Sequence, residues 1–315
     1  MFGMMEGVYA FLTRMVGNRM ETGDPDGSLH AKIRAGQGIV FPFLKRFGDG
    51  ADGDLTVAAN TTLTSGLYRY NNLTVNAGKT LTCTRGKNTG VLVLLVKGTL
   101  TVNGLITVSG LGAPGGMYGN DPGGTGANGS PGQNGFIGGS GGAGGGSYVY
   151  GIKGGGDGGN TGVLGGIGVS QGPSTSGTTD NLIAKLLGNM DAGGGAGGGG
   201  GAAYGRTRGG MGGAGGGVII IEARNIIINS GGAIRADGVN GENGSYDSST
   251  TDSRSGGGGG GGGGCIVLLS LNTTNNGIVS AAGGIGGSYG KIPSGNVIPY
   301  NGAGGGNGVI AQVVL

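Results

Sequence analysis

Proline is scarce in a chain dominated by glycine: 8 prolines stand against 89 glycines in 315 residues. A collagen triple helix needs an unbroken Gly-X-Y repeat with proline or hydroxyproline at about 15–20% or more, so that fold is excluded. Histidine occurs once, at His30, so Ser-His-Asp catalysis would rest on a single residue, and no cluster has the spacing of metal ligands. The two cysteines, Cys83 and Cys265, lie in strand-like runs and read as buried free thiols, with a disulfide as the alternative. Charge is also sparse: 19 Lys and Arg against 16 Asp and Glu, scattered along the chain, form no basic face for nucleic acid. No apolar run reaches the ~18 residues of a membrane span. The opening MFGMMEGVYAFLTRMVGNRM has no basic region before its apolar stretch and no small-residue cleavage site, so no signal peptide is expected.

Motifs that carry chemistry are equally thin. Gly-x-Gly-x-x-Gly recurs by chance, but no copy has a strand before it and a helix after it, and no Gly-Lys-Ser/Thr follows. Asp49, Asp52 and Asp54 in GDGADGD are as dense as a calcium loop but lack its order of Gly and Glu, and read as a turn entering the first strand. Asp121, Asp157, Asp180, Asp191, Glu242, Asp247 and Asp252 sit in glycine-rich sequence without a rigid surround for paired-carboxylate work. The chain is read as a non-enzyme, and no cofactor or metal is expected.

What is present is a beat of three. Gly123, Gly126, Gly129, Gly132, Gly135, Gly138, Gly141 and Gly144 recur at a period that matches neither helix nor strand but does match polyproline II. An edge made only of glycine lets another backbone approach closely. The same phase returns at Gly210, Gly213, Gly216, at Gly238, Gly241, Gly244, at Gly284, Gly287, Gly290, and at Gly302, Gly305, Gly308.

Between these tracts lies an internal repeat. Residues 91–110 (VLVLLVKGTLTVNGLITVSG), 218–238 (VIIIEARNIIINSGGAIRADG) and 265–284 (CIVLLSLNTTNNGIVSAAGG) each read as an apolar strand, a polar turn, a shorter strand and a small-residue exit. Residues 309–315, VIAQVVL, open a fourth copy. Val91–Val96, Val218–Ile221 and Ile266–Leu269 are apolar on both faces, so both faces should be covered. Upstream, 54–84 alternates apolar and polar residues in threonine-rich strands. The expected fold is therefore mostly β. It is a solenoid-like or sandwich-like core of repeated strand pairs, with the glycine tracts 111–217, 239–264 and 285–308 inserted as packed polyproline-II helices. DNLIAKLLGNM (180–190) could form a short helix with Asp180 as N-cap.

The first 48 residues differ in style, holding five of the six phenylalanines. Phe2, Met5, Tyr9, Leu12 and Val16 follow the 3-4 spacing of a helix seam, and Met4, Val8, Phe11 and Met15 make a second stripe beside it. A helix apolar on two faces is suited to assembly or to burial against its own chain. The domain reading is 1–48 for an N-terminal helical docking module, 49–110 for a β region, and 111–315 for strand pairs with glycine insertions. Seven of the ten tyrosines, Tyr118, Tyr148, Tyr150, Tyr204, Tyr246, Tyr289 and Tyr300, fall in the insertions. Aromatic anchors on a Gly, Ser and Asn background are the chemistry of binding loops, so these are receptor-binding candidates; they could equally cap the glycine helices.

ETGDPDGSLHAKIRAGQGI (21–39) is similar to a segment near the N-terminus of many tailed-phage structural proteins. DGDLTVAANTTLTSGLYRYNNLTVNAGKTLT followed by VLVLLVKGTLTVNG resembles glycine-rich phage tail-fibre and tail-tip proteins. The resemblance implies a non-enzymatic virion protein exposed to the medium, a homo-oligomer and by implication a trimer. Its partners would be other phage tail proteins and a bacterial surface receptor. A cellular extracellular filament or matrix protein is the alternative. An ice-binding surface is a third reading, since Thr56, Thr74, Thr80, Thr82, Thr99 and Thr101 alternate on strands, but the later IIIEARNIII lacks such threonines.

Overall fold

β-branched and leucine-rich runs broken by Asn and Gly turns favour extended backbone, and strands are what form. The computed structural model describes residues 47–86, 89–119, 129–133, 141, 144, 207–245, 255–290 and 301–314, and the backbone of 147–148, 152–153, 203–204 and 254. The helices expected over 2–16 and 180–190 lie outside the described residues. So do most of the glycines between 123 and 144.

The strands, in chain order, are β1 (Leu55–Val57), β2 (Thr61–Leu63), β3 (Gly66–Tyr70), β4 (Leu73–Val75), β5 (Thr80–Cys83), β6 (Val91–Val102), β7 (Leu105–Thr107), β8 (Ser147–Tyr148), β9 (Ile152–Lys153), β10 (Ala203–Tyr204), β11 (Val218–Ile228), β12 (Ala233–Arg235), β13 (Arg254–Ser255), β14 (Cys265–Asn275), β15 (Ile278–Ser280) and β16 (Val309–Val314). No helix occurs among the described residues.

Two parallel sheets carry the fold, and each is ordered by sequence. In the larger, β1, β4, β6, β11, β14 and β16 follow one another, with β3 also beside β6. In the smaller, β2, β5, β7, β12 and β15 do the same. The chain therefore lays down one long strand and one short strand, leaves, and returns one layer higher. The strands of 49–110 and those of the later copies share these same sheets.

Register turns the repeat into columns. Leu92, Ile219, Ile266 and Ile310 align across β6, β11, β14 and β16, as do Leu94, Ile221, Leu268 and Gln312. The even-numbered β6 side chains Leu92, Leu94 and Val96 pack with Ile219, Ile221, Ile234 and Ile106 in the main core. The alternate face, Val91, Val93, Val218, Ile220, Cys265, Val267 and Leu269, forms a second buried cluster. Both faces of the three long runs are covered, as strands apolar on both sides require. Cys83 belongs to the first cluster and Cys265 to the second, and both are free thiols.

The register slips once, between Ala223 and Asn225, where Lys97 and Gly98 of β6 oppose Arg224 alone. That β-bulge belongs to β6, since β11 and β14 keep one register throughout. Asparagines pair beside it within β11 and β14, and again at the turns that follow β6 and β11. Asn272 Nδ2 donates to Asn225 Oδ1 at 3.0 Å, and Asn229 Nδ2 donates to Asn103 Oδ1 at 2.7 Å. The carboxylates of GDGADGD brace the outer edge of β3 and the start of β4. Asp52 Oδ2 accepts from Arg69 N (2.7 Å) and Asp54 Oδ1 from Asn72 N (2.9 Å), while Asp49 Oδ1 accepts from Ala51 N.

Each glycine segment is an out-and-back excursion between a short strand and the next long one. Segments 111–119, 236–245 and 281–290 leave the sheets; 207–217, 256–264 and 301–308 return. They lie side by side and exchange backbone hydrogen bonds at every third residue. Gly210, Gly213 and Gly216 donate to Gly256, Gly259 and Gly262 at 2.8–3.0 Å. Gly238, Gly241 and Gly244 donate to Ala282, Ile285 and Ser288, each at 2.8 Å. Antiparallel neighbours keep the same period: Gly284, Gly287 and Gly290 donate to Gly261, Gly258 and Ser255.

Candidate functional site

The segment 236–245 shows how three residues share the work. The amides of Gly238, Gly241 and Gly244 bond one neighbouring segment, and those of Val239, Glu242 and Ser245 bond another through Ala214, Met211 and Arg208. The third set uses its side chains: Asp237, Asn240 and Asn243 accept from the amides of Ala282, Ile285 and Ser288 at 2.7–2.8 Å. A Cβ added to Gly238 or Gly241 would overlap the backbone of Gly261 or Gly258. The glycines are thus selected for a missing Cβ. Among the described residues, left-handed φ occurs only at Gly48, Gly50, Gly53, Gly78, Gly110 and Gly231, all outside the packed segments.

The nine consecutive glycines 256–264 are explained by position. This segment bonds four others, through Gly210, Glu242, Gly284 and Ala303, and each residue in it is buried. A Cβ at Gly257, Gly258, Gly260, Gly261, Gly263 or Gly264 would overlap the backbone of a neighbouring segment.

The segments run about ten residues away from the sheets, roughly 30 Å at the rise of an extended threefold backbone. Their far ends meet at one level. Gly209 N donates to Gly119 O (3.0 Å), Ser245 N to Arg208 O (2.8 Å), Gly290 N to Ser255 O (2.9 Å) and Tyr289 N to Asn301 Oδ1 (3.1 Å). Ser255 Oγ donates to Ser245 O, and Arg208 N donates to Ser245 Oγ at 2.7 Å. The guanidinium carbon of Arg208 lies 4.7 Å from the centroid of the Tyr118 ring, a cation–π distance. Tyr289 is 38% exposed at the same end.

Short strands extend this end. β10 pairs antiparallel with β13, aligning Tyr204 with Arg254, and β8 pairs with β9, aligning Tyr148 with Ile152. β8 lies against both β10 and β13. The fold thus gathers Tyr118 and Tyr289, and the backbone positions of Tyr148 and Tyr204, at the far end of the bundle. Tyr150, Tyr246 and Tyr300 lie outside the described residues, as do the assembly candidates Phe2, Met5, Tyr9, Leu12 and Val16. Arg208 escaped the sequence reading. Its only signal was a cation at the mouth of a glycine triplet tract, in GRTRGG.

Elsewhere, the bulge opens a shallow depression of about 310 Å³ lined by Asn71, Asn72, Lys97, Gly98 and Arg224. Among the described residues no group of three His, Cys, Asp or Glu side chains could hold a metal ion. Among the described residues no helix is long and apolar enough to cross a membrane. Compared with known protein families, curated proteins and solved structures, the chain matches none.

Proposed function

We propose that the chain is a non-enzymatic structural protein of a phage virion, part of the tail fibre or tail tip, and that it attaches the particle to a host surface receptor. On this reading the parallel layers are the coils of a β-solenoid. The glycine segments are polyproline-II helices that carry a binding end away from it. Residues 1–48 dock the protein to other tail proteins, with the seam Phe2, Met5, Tyr9, Leu12 and Val16 as the contact, and the chain self-associates.

The observation that supports receptor attachment is the convergence of Tyr118, Arg208 and Tyr289 at the outer level of a bundle cross-linked every third residue. Aromatic and Arg side chains dominate binding hot spots, and a braced scaffold lowers the entropy lost on binding. Period-three hydrogen bonding supports the polyproline-II assignment, because that helix has three residues per turn. The threonine column does not support ice binding: Thr56, Thr74 and Thr101 align, but Ile227 follows them.

Two experiments test the reading. Deleting residues 1–48 should leave a folded protein that no longer enters virions; normal incorporation would count against it. Replacing Tyr118 and Arg208 together by Ala should lower adsorption of assembled particles to host cells about tenfold or more, as loss of a hot spot does. Unchanged adsorption removes the bundle end from the receptor contact.

A further inference from the structure

The β-bulge places two cations side by side. Lys97 and Gly98 of β6 oppose Arg224 of β11, so Lys97 and Arg224 come from neighbouring strands about 4.8 Å apart. Lys97 continues the alternation of Val91 and Val93, and Arg224 that of Val218 and Ile220. Both therefore leave the sheet on the face of the second cluster, at a point where that face is exposed. Like charges set opposite each other across strands destabilise a sheet. Among the described residues neither cation forms an ion pair or a side-chain hydrogen bond. The carboxylates of this region are taken. Asp52 and Asp54 accept from the amides of Arg69 and Asn72, and Glu222 is 2% exposed with contacts of its own.

The surface around the two cations is held in place. Gly98 N donates to Asn71 O at 2.8 Å, and a Cβ on Gly98 would overlap the Asn72 side chain. Only glycine therefore lets β6 lie this close to the Asn71–Asn72 link. The Asn72 amide is clamped at both ends: Oδ1 accepts from Thr99 N at 3.0 Å, and Nδ2 donates to Asp54 Oδ1 at 3.2 Å. The depression of about 310 Å³ that results is at the small end of ligand sites. One layer on, Leu271 stands level with Arg224, between the Ala223–Ser270 and Asn225–Asn272 pairs, and is 41% exposed.

We propose that this depression binds an oxoanion, the phosphate or carboxylate of an acidic saccharide, between Lys97 and Arg224. The planar fork of Arg224 can donate to two oxygens of one group, while the Lys97 ammonium acts as a point charge beside it. The anion turns one repulsion into two attractions, so a pair that costs the free fold becomes favourable in the complex. Local rules broken in this way, without compensation in the fold itself, mark functional sites. The Asn71 amide supplies a donor for a ring hydroxyl, and Leu271 an apolar flank for the C–H face of the sugar. A bare inorganic ion would use neither. The site belongs to the strands, not to the far end of the glycine bundle, and the inference does not depend on receptor contact there.

The test titrates the full chain with glucuronate, glucose 6-phosphate, inorganic phosphate and glucose, and reads the thermal midpoint. Glucuronate or glucose 6-phosphate should raise it with the logarithm of concentration, as a ligand of the native state does, and glucose should not. The stronger of the two acids tells carboxylate from phosphate. Ion exclusion by phosphate stabilises any fold, so the control is the Lys97→Gln/Arg224→Gln double variant. Without ligand it should keep its circular-dichroism spectrum and melt at or above the wild-type temperature, because the repulsion is gone. It should also lose the response to either acid, and each single Gln variant should weaken apparent affinity about tenfold or more. Equal shifts in wild type and double variant, no response of the wild type to either acid, or an equal response to glucose overturns the proposal. A response to inorganic phosphate as strong as to glucose 6-phosphate overturns the saccharide assignment. Adsorption of the Tyr118 and Arg208 variants bears on the functional reading alone.

Discussion

The side-chain carbonyl of Asn240 accepts a 2.8 Å hydrogen bond from the amide of Ile285, joining one glycine excursion to the next. Three residues on, Asn243 does the same for Ser288 at 2.7 Å. Each bond satisfies a backbone donor that the glycine contacts leave over. Asn240→Ala and Asn243→Ala should each lower unfolding free energy by about 0.5–1.5 kcal/mol, and the pair by close to the sum. Urea titration reads the effect as a lower midpoint at constant slope.

Neighbouring glycines in one tract should respond oppositely. A Cβ on Gly305 would overlap the Gly261 carbonyl, whereas at Gly304 the nearest atom is Gly284 O at 3.6 Å. Gly305→Ala should destabilise by about 1–3 kcal/mol or more, since backbone must move to admit it. Gly304→Ala should be neutral or stabilise by up to about 1 kcal/mol through the unfolded chain. Equal thermal midpoints for the two variants would contradict close backbone packing.

Ile221 sits at 0% exposure in the column of Leu94, Ile221 and Leu268. Ile221→Ala should cost about 2–5 kcal/mol, because layers above and below hold the cavity open. Ile310→Ala, at a residue 47% exposed, should cost much less. Chemical denaturation of both variants checks the difference.

Stability should fail on the alkaline side. Burial pushes the Cys83 thiol up to about 11 and the Cys265 thiol to about 12, from an ordinary 9.0. Tyr70 rises from 10.0 to about 12 through burial first, then the charges of Asp52 and Tyr68. The folded state holds these protons more tightly than the unfolded state does. The stability they contribute is fully present below pH 9 and is lost as pH climbs through 9 to 12. Cys265→Val should flatten part of that fall, and a thiol reagent at pH 8 should label the native protein only at its opening rate.

Much of the fold was legible because it is periodic. The three strand copies at 91–110, 218–238 and 265–284 are β6–β7, β11–β12 and β14–β15, and their two-faced apolar runs are covered on both sides. The aspartates of GDGADGD do enter the first strand through a turn. Less could be read of the candidate site. Tyr118 and Arg208 are 90 positions apart and meet only because one tract leaves the sheets while its partner returns. The Lys97–Gly98 bulge is a register slip between strands, which no single strand records.

By itself the sequence determined which backbone states are available. β-branched runs must be strands, and an edge of glycine at period three can only serve close backbone contact. It also determined the layer count, since each copy adds one long and one short strand. Tertiary structure alone decided the neighbours. Nine glycines in a row at 256–264 look like a loose linker until four other segments surround them. VIAQVVL resembles one more buried strand, yet most of β16 is exposed. The physical reason is common to both. A residue's periodicity fixes the direction in which it points, but its burial depends on whether another layer of chain is there to meet it.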